Sequence, residues 1–215
     1  MHRICALAAA LGGLTIGMSA TADIIYSGPL DLEVVNDGGT SIGDPATVTI
    51  GSHSWSFGFV VGGPLDYGFI NALTNDTGLF STGTIEFSTT ARNFAAGDTI
   101  GGSTTGLEMY PIGPGSSENE NLTLHDYVDG SGDFSANGTG FIGFAFGGLL
   151  DRNYGWMEFS LTEAEDRRVI SLLGWAYNDE SGGSITAGQT GVVPGAGALA
   201  GLLGVAGLRA RRRRG

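Results

Sequence analysis

The chain has 215 residues, enough for one domain of ordinary size plus terminal segments, and 41% of them are apolar, enough to build a packed core. The 39 glycines argue against long helices, because each glycine inside a helix costs about 1 kcal/mol relative to alanine. Between residues 23 and 180, four arginines stand against 22 acids, a formal charge of −18, and the whole chain has no lysine. Such a surface repels nucleic acid, so we expect no nucleic-acid partner.

The first residues have the three parts of a secretory signal peptide, which we assign to residues 1–22. Arg3 supplies a positive start, Ile4–Met18 an apolar run, and Ala20-Thr21-Ala22 a small-x-small cleavage pattern. We therefore expect signal peptidase to cleave after Ala22, which leaves Asp23 as the new N-terminus.

Short strands separated by turn residues are predicted from residue 24 onward. β-branched and aromatic residues are interrupted by Gly, Asn, Asp and Pro turns, and no long amphipathic helix intervenes. This spacing predicts an all-β fold, a single antiparallel β-sandwich or jelly-roll-like domain over residues 23–188. The predicted strands are Ile24–Tyr26, Leu30–Val35, Thr47–Ile50, Ser54–Val61, Thr84–Ser88, Gly140–Phe146, Tyr154–Leu161 and Val169–Tyr177.

The late strands carry the clearest pattern. Alternation along Gly140–Phe146 separates two faces, with Ile142, Phe144 and Phe146 on one and Phe141, Gly143 and Ala145 on the other. The charged run Glu163–Arg168 is predicted to form the tip of a hairpin, with a short helix around Leu161–Arg167 as the alternative.

No residue set has the spacing of a known catalytic motif. The only cysteine, Cys5, lies in the signal peptide, which excludes thiol and disulfide chemistry after cleavage. His53 and His125 lack an accompanying Gly-x-Ser-x-Gly elbow, and we interpret both as solvated residues at strand edges. Glu86 and Glu158, both on predicted strands, are the acids that we single out as candidates for a glycosidase pair. We predict a protein that is not an enzyme, with a glycoside-acting enzyme as the third hypothesis.

A glycine-rich acidic loop is the best local candidate for a metal site. Asp129, Ser131 and Asp133 place oxygen atoms at alternate positions, a spacing that lets a short turn wrap Ca²⁺. Phe134 and Gly140 stand where a complete EF-hand loop has glycine and glutamate, so the full pattern fails. The alternatives are a calcium site and an acidic turn between strands; the sequence favours the turn and implies no other cofactor.

Aromatic residues at strand spacing also leave two alternatives. They could form a platform that stacks on sugar rings, or they could fill the core of the sandwich, which is their more common role. The residues concerned are Trp55, Trp156, Trp175, Tyr154 and Tyr177.

The other end of the chain, residues 189–215, contains an apolar run that ends in arginines. Residues 192–208 are uncharged, and seventeen helical residues rise about 25 Å, slightly less than a hydrocarbon core of about 30 Å. We predict a short transmembrane helix, with the arginines on the cytoplasmic side and the acidic domain outside. The arginines are Arg209, Arg211, Arg212, Arg213 and Arg214.

This tail resembles the PEP-CTERM sorting segments of exported bacterial proteins. Val193 and Pro194 precede the apolar run, which leads to the arginine cluster, although Gly195 and Ala196 replace the usual Glu-Pro after the first proline. The resemblance implies processing by an exosortase-like membrane protease. The late block, which includes Tyr154-Gly155-Trp156 and Gly174-Trp175-Ala176-Tyr177, is similar to secreted proteins with such tails, for which the resemblance implies no activity.

These features together predict an exported, non-enzymatic β-sandwich protein. We expect it outside the cell or at the cell surface, with a transient or retained C-terminal anchor in the inner membrane. The resemblance implies a matrix rich in extracellular polysaccharide as the setting. The second hypothesis is an extracellular carbohydrate-binding module, assisted by Ca²⁺ or not.

Overall fold

A computed structural model describes residues 22–38, 44–62, 65–74, 76–85, 88–104, 122–148, 151–165 and 167–191. These residues all belong to one compact unit that spans Ala22–Val193. They form fifteen strands and no helix, which confirms the predicted all-β class. The strands are β1 (Ile24–Tyr26), β2 (Leu32–Asn36), β3 (Ala46–Ile50), β4 (His53–Gly62), β5 (Leu65–Ala72), β6 (Thr77–Leu79), β7 (Ser81–Ile85), β8 (Ser88–Ala91), β9 (Asn93–Phe94), β10 (Thr99–Ile100), β11 (Leu122–Asp126), β12 (Gly138–Phe146), β13 (Asn153–Ala164), β14 (Arg167–Asn178) and β15 (Ile185–Thr186).

The larger sheet is built on three long antiparallel strands, β12, β13 and β14. Each outer edge of this trio is covered by two short strands placed end to end. Strands β1 and β2 both pair with β14, at residues 176–178 and 168–172. Strands β6 and β9 likewise pair with β12. The result is a seven-stranded sheet whose edges are interrupted, an arrangement that leaves little continuous edge for pairing with another chain.

The second sheet has six strands in the order β3-β4-β5-β11-β8-β7. Its pairs are antiparallel except one, because β11 lies parallel to β8. The expectation of antiparallel strands therefore holds for all the described pairs but this one. Strands β10 and β15 form a separate two-stranded ladder.

The main core lies between the two sheets. Trp55, Phe57 and Ile70 from the six-stranded sheet meet Phe144 and Phe159 from the seven-stranded sheet in one buried cluster. Phe57 and Phe159 touch edge to face with ring centroids 5.1 Å apart. Aromatic rings of this size each bury about 150–250 Å², so this cluster supplies much of the stabilisation that a domain without disulfides needs. Two sheets packed on a shared core are the sandwich that the sequence predicts.

A second cluster covers the other face of the seven-stranded sheet. Ile100 of β10 and Ile185 of β15 are buried there with Trp156, and Phe94 of β9 joins them. The predicted two-faced pattern of β12 is confirmed. Ile142, Phe144 and Phe146 pack in or against the cluster between the sheets. Ala145 belongs to the cluster on the outer face, and Phe141 packs against it.

The hairpin of β13 and β14 shows that the alternative of a short helix around Leu161–Arg167 is wrong. Glu163 pairs with Arg168 and Ala164 with Arg167, so the strands continue almost to the tip and no short helix forms over the described residues. The charged hairpin tip is confirmed. The N-terminal expectations for residues 1–21 and the C-terminal helix expected within residues 192–208 lie outside the described residues.

Candidate functional site

A polar cluster centred on Arg168, near the start of β14, joins the two sheets. Its Nη1 donates to Oδ2 of Asp66 on β5, and its Nε donates to Oε1 of Glu163 at 3.2 Å. Its guanidinium carbon lies 4.3 Å from the ring centroid of Tyr127, just after β11. Arg168 and Glu163 lie in the seven-stranded sheet. Asp66 lies on β5 of the six-stranded sheet and Tyr127 directly follows β11 of the same sheet, so one arginine bridges both layers.

Burial and charge act together in this cluster. The side chains of Arg168 and Asp66 are each 24% exposed. Burial by itself lowers the pKa of Arg168, but hydrogen bonds and attraction from Asp66 and Glu163 outweigh it, and its pKa is raised. Burial raises the pKa of Tyr127 above its ordinary value of 10.0, against the opposing effect of Arg168. The arginine is therefore a permanent cation held between two carboxylates, beside a phenol that stays neutral.

A polar cavity of about 270 Å³ opens beside this cluster. Its walls include Asn36, Asp66, Glu165, Arg167 and Arg168. Arg167 is more exposed than its neighbour and lies 3.6 Å from Asp37. Each arginine already faces a carboxylate, and the acids here outnumber the arginines. The cluster is therefore suited to hold the two sheets together and is a poor site for an anionic ligand.

A row of aromatic rings lies at the opposite end of β14, nine residues or roughly 30 Å along the strand from Arg168. Trp175 and Tyr177 stack with ring centroids 6.2 Å apart and planes 21° apart. Tyr177 meets Phe146 edge to face at 5.1 Å, and Phe146 lies 4.9 Å from the ring of His53. All four residues of this aromatic row (His53, Phe146, Trp175 and Tyr177) are partly exposed, and the last three also pack against the core between the sheets.

The structure divides the predicted sugar-stacking set in two. Trp55, Trp156 and Tyr154 are 0%, 1% and 7% exposed and belong to the two cores. Trp156 also donates its indole N–H to the carbonyl of Gln189 at 3.1 Å. Of the five residues, Trp175 and Tyr177 alone are partly exposed. Sequence reasoning missed Phe146 as their neighbour, although it was predicted to share one face of its strand with Ile142 and Phe144.

The interpretation of the two histidines as solvated strand-edge residues is wrong for His125. It is 8% exposed and lies on β11, between β5 and β8. Its Nδ1 is 2.8 Å from the carbonyl oxygen of Phe134, and its ring meets Tyr127 at 4.8 Å. His53 is half-buried and lies on β4, which is also an inner strand. Both rings pack against an aromatic neighbour, His53 against Phe146 and His125 against Tyr127.

The proposed calcium ligands lie in the loop between β11 and β12. Asp129 and Ser131 form an Asx turn, in which Oδ1 of Asp129 accepts from the backbone N–H of Ser131 at 2.8 Å. Hydrogen bonds from Ser131 lower the pKa of Asp129. Asp133 is exposed, and its backbone carbonyl accepts from the side chain of Asn93 at 3.2 Å. Within the described part of the chain, no three histidine, cysteine, aspartate or glutamate side chains are grouped to hold a metal ion.

The remaining residues that the sequence singled out lie in different parts of the fold or outside the described residues. Glu86 lies outside the described residues, and Glu158 is half-buried on β13, between Phe141 and Gly174. Ala22 is buried and Asp23 is exposed directly before β1, whereas Ala20 lies outside the described residues. The sorting residues, from Val193 and Pro194 to the terminal arginines, also lie outside them. Among the residues that are described, no helix has the length and apolar character to cross a membrane.

Comparison with known proteins gives no match to this chain, whether against family models, curated proteins or solved structures.

Proposed function

We propose that this chain is an exported, non-enzymatic β-sandwich protein that acts at the cell surface or in the surrounding matrix. The observation that carries the proposal is the extent of the compact unit, Ala22–Val193. Its first residue is the last residue of the expected signal peptide, and its last residue directly precedes Pro194. Cleavage at both places would leave all fifteen strands in the released domain.

The use of reactive and aromatic side chains supports a structural role. His125 is held by a backbone carbonyl and packed against Tyr127. Trp55 and Trp156 fill the two cores. The strong negative charge of residues 23–180 adds solubility and disfavours polyanionic partners. We accordingly propose signal peptidase and an exosortase-like protease as processing partners, and no nucleic acid.

Fractionation with mass spectrometry tests this proposal. The protein is expressed in a host that carries an exosortase system, and its termini are sequenced in the membrane, surface and medium fractions. We expect the surface or medium form to begin at Asp23 and to lack Arg211–Arg214. A variant in which Arg211–Arg214 are replaced by glutamine should keep the N-terminal cleavage and lose the C-terminal one. Recovery of the wild-type protein at the surface with its arginines intact would contradict the sorting proposal.

The aromatic row favours carbohydrate binding as a second candidate function. The indole of Trp175 and the phenol ring of Tyr177 lie nearly parallel, and both are partly exposed. Aromatic faces of this kind stack on the C–H faces of sugars, and a neutral polysaccharide would not be repelled by the acidic domain. The row therefore supports an extracellular polysaccharide as a partner.

A glycan array, followed by titration of any ligand found, tests this candidate. Trp175→Ala and Tyr177→Ala should each weaken binding at least tenfold. Tyr26→Ala is the matched control, because Tyr26 is 38% exposed but contacts Trp156 of the outer-face cluster. Binding that survives both row variants, or the absence of any glycan ligand for the wild-type protein, would refute this candidate.

A further inference from the structure

The start of β1 places a backbone nitrogen against a carboxylate. The N–H of Asp23 donates to Oδ1 of Asp179 at 2.7 Å, and the N–H of Asp179 donates to the carbonyl of Asp23 at 3.1 Å. These two bonds extend the antiparallel ladder in which Ile24 pairs with Asn178. A side-chain oxygen thus takes the place of the backbone acceptor at the last rung. A separation of 2.7 Å lies at the short end for N–H···O bonds and suits a charged donor.

Cleavage after Ala22 changes the chemistry of this nitrogen. Hydrolysis breaks the bond between the Ala22 carbonyl carbon and the Asp23 nitrogen. Water supplies a hydroxyl to Ala22 and a proton to the nitrogen, and the resulting α-amine takes up a second proton because its ordinary pKa is about 7.7–8.0. A neutral amide with one hydrogen becomes a cation with three, directly opposite Asp179.

We propose that removal of the export signal creates an α-ammonium at Asp23 that forms an ion pair with Asp179 and holds β1 on β14. The inference rests on the proposed export of the chain. In the precursor the same contact is a neutral donor facing a carboxylate. In the mature protein it is a charge-assisted hydrogen bond, about twice as strong as a neutral one. Maturation therefore strengthens the contact that closes the edge of the larger sheet.

The position of β1 makes this contact consequential. The strand has three residues, and Ile24 is its only buried side chain, in the outer-face cluster. Short terminal strands fray unless they are tied down. The charged groups on the paired segments are the side chains of Asp23, Asp179 and Glu180, with Arg152 just before the neighbouring strand β13. Three of these four groups are anionic, so a new cation here is favoured by its surroundings as well as by its direct partner.

The composition of the chain permits a specific test. Because the chain has no lysine, the α-amine of the mature protein is its only primary amine. An amine-selective acetylating reagent at neutral pH will therefore remove this one positive charge and modify no side-chain amine. The exported protein, with its N-terminus at Asp23 established by mass spectrometry, is compared before and after acetylation by thermal unfolding and by hydrogen exchange of residues 24–26.

We expect acetylation to lower Tm by about 1–3 °C, the size of an exposed ion pair in a domain of this length. Exchange of the amides of β1 should become about two- to fivefold faster, as an exposed pair worth under about 1 kcal/mol implies. Asp179→Asn, which keeps the side-chain oxygen but removes its charge, should abolish both effects. The matched control Glu180→Gln should retain them.

An unchanged Tm and unchanged exchange after acetylation of the wild-type protein would overturn the inference, as would equal effects in Asp179→Asn. An exported protein that begins at another residue would overturn the inference but leave export intact. A protein that retains Met1 in every fraction would overturn the proposed export as well.

Discussion

Replacement of Arg168 by methionine tests whether the arginine-centred cluster ties the two sheets together. Methionine keeps an unbranched apolar stem of similar reach but cannot donate to Asp66 or Glu163. Removing one partner of a fully buried ion pair costs about 3–5 kcal/mol, whereas an exposed pair contributes about 0–1 kcal/mol. Arg168 and Asp66 are about three-quarters buried, each with 24% of the side chain exposed. We therefore expect a loss of about 2–3 kcal/mol in the free energy of unfolding.

Arg167→Met is the matched control, because it makes the same substitution one residue away. Arg167 and its partner Asp37 are 56% and 80% exposed and 3.6 Å apart. Solvent screening at such a pair leaves less than about 0.5 kcal/mol. Urea unfolding followed by tryptophan fluorescence gives both values from midpoints and slopes. In 1 M salt, where the Debye length is about 3 Å, the small effect of Arg167→Met should vanish and most of the Arg168→Met effect should remain.

A double-mutant cycle with Asp66→Asn isolates the contact between the sheets. We expect the effects of Arg168→Met and Asp66→Asn to be non-additive by about 1–2 kcal/mol, because the two side chains share a direct hydrogen bond. The reasoning is refuted if Arg168→Met costs no more than Arg167→Met, or if the two effects in the cycle add within about 0.3 kcal/mol.

Three further predictions follow from particular contacts. The hydroxyl of Tyr127 is buried with no hydrogen-bond partner among the described residues, so Tyr127→Phe should stabilise the protein by up to about 1 kcal/mol at pH 7. Because burial raises the pKa of Tyr127 above 10.0, the unfolded state releases the phenol proton first, and the folded protein loses stability as pH rises above about 10. Unfolding midpoints from pH 8 to 11 should therefore fall less steeply in the variant, and equal slopes would contradict this. Gly155→Ala should lower the free energy of unfolding by about 1–3 kcal/mol, measured in urea, because an added Cβ would lie 2.2 Å from the ring of Phe144. In the control Gly191→Ala the added Cβ meets no atom within 4 Å, so stability should change by less than about 0.5 kcal/mol. Similar values for both variants would refute the packing argument. If the role of Asp129 is to accept the hydrogen bond of its Asx turn, Asp129→Asn should lower Tm less than Asp129→Ala. Millimolar Ca²⁺ should leave the wild-type Tm unchanged. A rise in Tm with Ca²⁺ that both variants lose would show that Asp129 is a calcium ligand instead.

The strands that were predicted well are those with strong local patterns. The strand Ile24–Tyr26 has the predicted bounds, and Gly140–Phe146 and Val169–Tyr177 each lie within a strand that is slightly longer. The β5 strand, Leu65–Ala72, was missed because Asp66, Gly68 and Asn71 interrupt its apolar pattern. Two of these residues have a tertiary reason. Asp66 meets Arg168 of the other sheet, and a Cβ at Gly68 would lie 2.9 Å from Ile170.

In the candidate sites, too, local sequence patterns predicted some features and only the packing of the sheets decided others. Sequence reasoning named Trp175 and Tyr177 among five aromatics but could not separate them from Trp55 and Trp156, because all of them follow the same strand periodicity. Exposure depends on which part of a strand the facing sheet covers. The turn at Asp129 was favoured from local composition alone, and its Asx hydrogen bond spans two residues, a range that sequence patterns describe well.

The sequence by itself determined the all-β class, the two faces of β12 and the charged hairpin tip, because alternation and turn chemistry act over a few neighbouring residues. It also predicts the processing of both termini, which rests on composition along a single segment. Only the tertiary structure decided the parallel pairing of β8 with β11, the burial of His125 and the bridge from Arg168 to Asp66. That bridge joins residues 102 positions apart, and no local pattern encodes a contact that exists only when two sheets pack face to face.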